Sequence, residues 1–150
     1  MNIKLKKFNP NNIADDKVCV FIGKRGTGKS TLVTDILYHK RNLPIGIVMS
    51  ATEEGNHHYA RYVPDIFIHG DYDKDAVERI LARQKRLVGN PVNANKNIGA
   101  FLLLDDCMYD KKFMKDTCIR QCFMNGRHWK LFFMLTMQYC MDLTPDLRAN

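Results

Sequence analysis

VCVFIGKRGTGKST, at residues 18–31, is the stretch of sequence that decides the fold of this chain. Five β-favouring residues lead into a glycine-rich turn, and an amphipathic helical pattern follows it. The turn, Gly23-x₄-Gly28-Lys29-Ser30, has the spacing of a loop that binds phosphate between a strand and a helix. Glycines let the backbone wrap round a phosphate with its N–H groups turned inward, and the helix adds the positive end of its dipole. The segment therefore predicts a P-loop that binds a nucleoside triphosphate.

The residue types within this loop also predict how the phosphates are held. Lys29 is expected to neutralise the oxygens of the β- and γ-phosphates, and the Ser30 hydroxyl is a hard oxygen ligand suited to Mg²⁺. The expected nucleotide contacts are Gly23, Lys24, Arg25, Gly26, Thr27, Gly28, Lys29, Ser30 and Thr31. A guanine-specific motif, Asn-Lys-x-Asp, is not completed after residues 95–97, which argues against a GTPase.

Short apolar runs alternate with helical patterns along the rest of the chain. Further strands are predicted at residues 45–49, 66–69, 98–104 and 131–135, and helices at residues 31–40, 73–88 and 111–125. Fully apolar strands that alternate with helices predict an α/β fold, with a mostly parallel sheet covered by helices on both faces. The ligand site of such a sheet is expected outside the carboxyl ends of its strands.

Polar residues at the ends of two predicted strands are candidates for the chemistry. FLLLDD, at residues 101–106, ends in two carboxylates. Asp105 is expected to hold Mg²⁺, and Asp106 to polarise the attacking water as a general base. Gln138, after the last strand, is expected to sense the γ-phosphate or orient water, with help from Thr136. The alternative for each is an ordinary capped strand end or a solvated acidic pair.

Two arginines are candidates for an arginine finger, which stabilises the charge of the transferred phosphate. Arg127 lies just before the last predicted strand and is expected to act across a subunit boundary. Arg148, near the C-terminus, is the second candidate. Either is equally compatible with a plain surface arginine.

Composition narrows the partners without naming one. Lys and Arg number 23 against 16 Asp and Glu, a formal charge of +7 that favours polyanions. No apolar run is long enough to span a membrane. The five cysteines show no metal-ligand spacing and their odd number fits a reduced intracellular compartment; Cys118 and Cys122 are predicted to lie in the core. The pair His57-His58 is predicted to be a loop pair.

Four segments together resemble one family. FIGKRGTGKST (residues 21–31), LLDDCMY (103–109), NGRH (125–128) and TMQY (136–139) are similar to the DNA-packaging ATPases of large nucleocytoplasmic DNA viruses of the poxvirus, phycodnavirus and mimivirus type. Those resemble the FtsK–HerA branch of P-loop motors. The similarity runs over most of the chain and includes SATE at residues 50–53 and LRAN at residues 147–150.

The resemblance implies both an architecture and a function. It implies an ASCE-type sheet, in which another strand separates the P-loop strand from the Asp105 strand. It implies an ATPase with ATP and Mg²⁺ as cofactors, and a ring-forming homo-oligomer that drives viral double-stranded DNA into the capsid. The expected location is the virion or the viral factory in the cytoplasm of the infected host cell. Gln138 matches the family's polar residue, and Arg127 is the better match for its arginine finger.

Two departures from the family pattern bear on these expectations. Wider FtsK–HerA members usually have Asp-Glu where this chain has Asp105-Asp106. The relatives also continue with further strands and helices beyond the position of Asn150. Residues 1–150 are therefore expected to form a P-loop ATPase domain that is incomplete at its C-terminus. A small nucleoside or nucleotide kinase, or a nucleotide-binding module without turnover, are the alternative functions.

Overall fold

The computed structural model describes residues 4–107, 113–139 and 143–148. The strands are β1 (Val18–Ile22), β2 (Gly46–Ser50), β3 (Ile68–His69), β4 (Ala100–Asp105) and β5 (Leu131–Met137). The helices are α1 (Lys29–His39), α2 (Glu53–Asn56), α3 (Lys74–Val88), α4 (Thr117–Asn125) and α5 (Pro145–Arg148). Short 3₁₀ turns occupy Pro10–Asn12, Tyr59–Arg61, Asp65–Phe67, Pro91–Asn93 and Phe113–Lys115. None of the helices in these three ranges has the length and hydropathy that crossing a bilayer requires.

The five strands form one sheet in the order β1-β5-β4-β2-β3, and every pair is parallel. The P-loop strand β1 lies at one edge, and β5 separates it from β4, which ends in Asp105. This is the arrangement that the family resemblance implies. Since parallel strands end at the same edge of a sheet, the loops that follow β1, β4 and β5 meet there.

The sheet is buried on both faces because its central strands are apolar over most of their length. Every residue of β5 is buried. Its side chains alternate: Leu131, Phe133 and Leu135 pack towards α3 and α4, whereas Phe132 and Met134 pack towards α1. Burying one such side chain contributes about 1.5–3 kcal/mol, so these two cores hold the helices on the sheet.

Helix α3 is fixed at its start by a cap and along its length by a buried amide. The Asp73 carboxylate accepts the backbone N–H of Ala76 at 3.0 Å, which satisfies a free donor of the first turn. Gln84 is fully buried, and its Nε2 donates to the carbonyl oxygens of Ile98 at 3.0 Å and Trp129 at 2.8 Å. The amide therefore ties α3 to the segments that enter β4 and β5.

Predicted and observed boundaries differ by one or two residues at several elements, and two differences have a visible local cause. The helix predicted from Lys111 begins at Thr117, because the Asp116 side chain accepts the N–H of Cys118 at 2.8 Å and caps the helix there. Lys111 itself lies outside the described residues, as do Met108, Tyr109 and residues 149–150, which the family resemblance also included. The strand predicted at residues 66–69 is confined to Ile68–His69, since the preceding residues form a 3₁₀ turn after a proline.

Candidate functional site

The loop between β1 and α1 follows the path that its glycines predict. The Gly23 N–H donates to the Met137 carbonyl oxygen at 3.1 Å, so the loop leaves the sheet beside the end of β5. Gly26 and Gly28 have φ of 78° and 88°, in the left-handed region that glycine adopts without strain. Helix α1 then begins at Lys29. The positive end of a helix therefore directly adjoins the loop.

The side chains of the loop leave its outer surface open. Lys29 Nζ lies across the loop and donates to the carbonyl oxygens of Gly23 at 2.7 Å and Lys24 at 3.1 Å. The Thr27 hydroxyl also donates to the Lys24 carbonyl, at 2.8 Å. Residues 24–28 and Thr31 are exposed to solvent. Most of the predicted nucleotide contacts are thus accessible, and the ammonium group of Lys29 lies across the same loop.

Asp105, the last residue of β4, is a buried carboxylate held by three hydroxyl groups. Only 4% of its surface is exposed. Its Oδ2 accepts hydrogen bonds from Ser30 Oγ at 3.2 Å and from the Tyr59 hydroxyl at 2.7 Å. Its Oδ1 accepts a hydrogen bond from Thr136 Oγ1 at 2.6 Å. The structure therefore brings the two predicted metal ligands, Ser30 and Asp105, into direct contact across 75 residues of sequence.

The donor set at this contact fits a hard divalent cation. Within the described residues, Asp105 forms no ion pair with a Lys, Arg or His side chain. A buried carboxylate without a positive partner is costly, and a bound cation removes that cost. A carboxylate beside a serine hydroxyl offers the oxygen ligands that Mg²⁺ prefers. Ser30 and Asp105 are thus chemically suited to hold Mg²⁺ next to the phosphate-binding loop.

Asp106 and Gln138 lie beside the same cluster. Asp106 has a φ of 56°, a left-handed conformation that turns the chain sharply after β4. Its N–H donates to Thr136 Oγ1 at 2.9 Å, and Gln138 Nε2 lies 3.4 Å from its Oδ1. Asp106 is half-buried, whereas Asp105 is buried. The turn therefore gives two consecutive aspartates different environments, one in the interior and one at the surface of the site.

Tyr59 is a residue of this site that sequence reasoning missed. It is 1% exposed, and burial together with the nearby Asp105 carboxylate raises the pKa of its phenol far above the ordinary value. Glu53, also buried, holds its backbone: the carboxylate accepts the N–H of Tyr59 at 2.9 Å and that of Ala60 at 2.8 Å. No motif marks Tyr59 in the sequence, because its partner lies 46 residues away.

Arg127 lies away from this chain's own loop, and Arg148 bonds to the backbone of its own segment. Arg127 precedes β5 and therefore lies at the opposite edge of the sheet from the site, roughly 20 Å away along the strand. Its side chain is 74% exposed, with Nε 4.0 Å from Asp16. Arg148 Nε donates to the Leu143 carbonyl at 2.9 Å. Arg127 therefore has an exposed position of the kind that contact with another subunit requires.

Proteins of large DNA viruses are similar in sequence to the whole chain. It is 41% identical over 149 residues to protein 075L of Invertebrate iridescent virus 6, covering 99% of this chain and 56% of that protein. It is 39% identical over 153 residues to protein L437 of Acanthamoeba polyphaga mimivirus, covering 98% of this chain and 54% of that protein. The chain thus spans about half the length of the curated relatives it matches. No known family model matches it.

Solved structures with the same architecture are nucleotide-binding proteins. The genome packaging NTPase B204 from Sulfolobus turreted icosahedral virus 2, in complex with AMP, superposes with a TM-score of 0.63 at 20% identity, covering 90% of this chain and 71% of that one. The pCW3 conjugation coupling protein TcpA with ATPγS superposes with a TM-score of 0.57 at 13% identity, covering 90% and 47%. This chain has the fold of a P-loop NTPase.

The predicted fold class is therefore confirmed, as an α/β fold with an all-parallel sheet. The resemblance to viral DNA-packaging ATPases is confirmed as a structural similarity to B204 and a sequence similarity to proteins of large DNA viruses. The structure also gathers Lys29, Ser30, Asp105, Asp106 and Gln138 at one edge of the sheet. The roles of these side chains remain predictions.

Proposed function

We propose that this chain hydrolyses ATP and that hydrolysis powers the packaging of viral double-stranded DNA into a capsid. The observation that carries the proposal is the contact of Ser30 with the buried Asp105 carboxylate directly behind the loop that bears Lys29. The similarity in fold to B204, the viral relatives and the charge of +7 support the choice of DNA as the partner.

The side chains divide the work of phosphoryl transfer between them. Lys29 neutralises the β- and γ-phosphates, while Ser30 and Asp105 would hold Mg²⁺, which would supply further charge stabilisation when bound. Asp106, half-buried at the surface of the site, accepts a proton from the attacking water. Gln138, which lies beside Asp106, orients that water. Catalysis by this site is thus mainly positioning and electrostatic stabilisation.

The proposal includes a ring of subunits of the FtsK–HerA type, located in the virion or in the viral factory of an infected cell. Arg127 completes the site of a neighbouring subunit as its arginine finger; Arg148 is the second candidate. The exposed position of Arg127 at the opposite edge of the sheet supports action in trans. A capsid component is the expected docking partner of the ring.

The direct test measures phosphate release from ATP with and without double-stranded DNA, on the purified chain and on the longer protein of a viral relative. We expect Mg²⁺-dependent hydrolysis that DNA stimulates. Transfer of ³²P from ATP to a nucleoside would instead identify a kinase. Binding of ATP without phosphate release at any DNA concentration would identify a nucleotide-binding module.

Subunit mixing tests the arginine finger separately. Lys29→Ala strongly weakens nucleotide binding but keeps Arg127, whereas Arg127→Ala keeps the nucleotide site but lacks the finger. Each variant alone is expected to lose activity by about 10³-fold or more. Mixed rings are expected to recover part of the activity, because Lys29→Ala subunits supply the arginine to their neighbours. An Arg127→Ala variant with normal activity would transfer the role to Arg148.

A further inference from the structure

One group of the site comes from the segment between β2 and β3, and neither from the P-loop nor from a strand end. This group is the hydroxyl of Tyr59, which donates to Asp105 Oδ2 at 2.7 Å. Ser30 Oγ donates to the same oxygen over a longer distance, 3.2 Å. Thr136 holds the other oxygen at 2.6 Å. Tyr59 and Thr136 are thus the two short contacts that set the orientation of the carboxylate, one on each oxygen.

The 3₁₀ turn that carries Tyr59 is itself fixed on two sides. On one side, both carboxylate oxygens of Glu53 accept the Tyr59 N–H, at 2.9 and 3.0 Å, within a buried environment. On the other side, His58 Nε2 shares a hydrogen bond of 2.8 Å with the Thr34 hydroxyl of α1, which also lies 2.8 Å from the Ser30 carbonyl oxygen. The turn therefore spans the space between the P-loop helix and β4.

The ring of Tyr59 fixes the position of its hydroxyl. It belongs to the buried core cluster that also contains Val33 and Val63. It also lies perpendicular to the His58 ring, with 4.8 Å between the two centroids. A tyrosine hydroxyl donates one hydrogen bond, and here that bond goes to the Asp105 carboxylate.

We propose that Tyr59 is a positioning residue for Asp105, which it orients towards Ser30 for binding of a divalent cation, and that Glu53 positions Tyr59 in turn. The proposal rests on the proposed function, in which Asp105 and Ser30 hold Mg²⁺. The alternative is that Tyr59 is only a core residue whose hydroxyl has found a convenient acceptor. Groups that orient a metal ligand typically change metal affinity or activity by about 10–100-fold when removed.

The test compares two tyrosines of the same region. Tyr59→Phe removes only the hydroxyl and keeps the ring in the core. Tyr62→Phe is the matched control, because Tyr62 follows the same turn, is 59% exposed and forms no hydrogen bond through its hydroxyl within the described residues. The affinity of each protein for a fluorescent ATP analogue is measured in EDTA and across a series of Mg²⁺ concentrations.

In EDTA, we expect Tyr59→Phe to bind the analogue with an affinity within about twofold of wild type. We expect it to need about tenfold more Mg²⁺ than wild type to reach half of the increase in affinity that saturating Mg²⁺ produces. Tyr62→Phe is expected to match wild type in both. Glu53→Gln is expected to shift the Mg²⁺ requirement in the same direction, and to add little in the Tyr59→Phe background since both act through one contact. For a variant of reduced stability, the increase in Tm when Mg²⁺ is added to the protein with ATPγS can be compared instead, because it is measured relative to the same variant.

An unchanged Mg²⁺ requirement in Tyr59→Phe would overturn the role of Tyr59 but leave the proposed function intact. Equal losses of affinity in EDTA and in Mg²⁺ would do so too, because they indicate a structural role only. A wild-type protein whose nucleotide binding does not respond to Mg²⁺ and which releases no phosphate would contradict the proposed function as well.

Discussion

The Thr136 hydroxyl links the two aspartates of the site, and replacing it tests whether they form one network. Thr136 is fully buried; its Oγ1 donates to Asp105 Oδ1 at 2.6 Å and accepts the Asp106 N–H at 2.9 Å. Thr136→Val keeps the shape of the side chain but removes both hydrogen bonds. The variant therefore leaves a buried carboxylate oxygen and a backbone N–H without this partner.

The expected loss of stability follows from these two bonds. A hydrogen bond to a charged group contributes about 1.5–3 kcal/mol and a neutral one about 1 kcal/mol, so Thr136→Val should lower the free energy of unfolding by about 2.5–4 kcal/mol. For a chain of this length that corresponds to a fall in Tm of roughly 5–15 °C. Thr136→Ser is the control, because it keeps the hydroxyl and loses one methyl group, at about 1 kcal/mol.

Urea denaturation followed by far-UV circular dichroism, without nucleotide, measures both variants against wild type. The network predicts that Thr136→Val is less stable than Thr136→Ser by about 2 kcal/mol. A valine variant as stable as the serine variant would refute the reasoning, since the loss would then reflect packing alone.

Three further predictions concern the loop, the general base and the helix cap. Lys29→Ala should weaken ATP binding about 100-fold or more, measured by fluorescence titration, because it removes the charge that faces the phosphates; undiminished affinity would contradict the site. Asp106→Asn should keep ATP affinity but lower kcat by about 10²–10⁴-fold in a phosphate-release assay. The pKa of Asp73 is lowered below its ordinary 3.8, mainly by the hydrogen bond from the Ala76 N–H and less by His69 and Arg79. The ionised cap therefore stabilises the fold above that pH, and this stabilisation is lost as pH falls through the folded pKa. Asp73→Ala should therefore cost about 1 kcal/mol at neutral pH and progressively less in acid, measured by urea melts at several pH values.

The elements around the P-loop could be predicted from sequence because their signals are local. Val18–Ile22 is a strand in both prediction and structure, and the predicted glycine-rich turn follows it directly, with Gly26 and Gly28 in the left-handed region. The contact of Ser30 with Asp105 follows from strand ends that share an edge of a parallel sheet. That another strand separates β1 from β4 came from the family resemblance, since neither composition nor periodicity determines strand order; the structure shows that this strand is β5.

The features that sequence reasoning missed depend on tertiary contacts. Tyr59 reaches Asp105 from a segment with no recognisable motif, and its position depends on the buried carboxylate of Glu53. The start of α4 was placed too early because the helical pattern continues upstream, while the capping bond of Asp116 decides the boundary. In each case a polar side chain forms a specific hydrogen bond that apolar periodicity does not reveal.

The phosphate-binding loop follows an edge strand, β1, whereas Asp105 ends a central strand, β4. The two halves of the site therefore differ in how readily they unfold locally. Within the described residues β1 pairs with β5 alone, and none of its side chains is fully buried, whereas β4 has a neighbour on each side. Edge elements with few buried contacts unfold locally at lower free energy than central ones. Local separation of β1 from β5 would displace the phosphate-binding loop and leave Asp105 in place. A nucleotide that contacts both the loop and Asp105 would thus stabilise the pairing of β1 with β5 while it is bound.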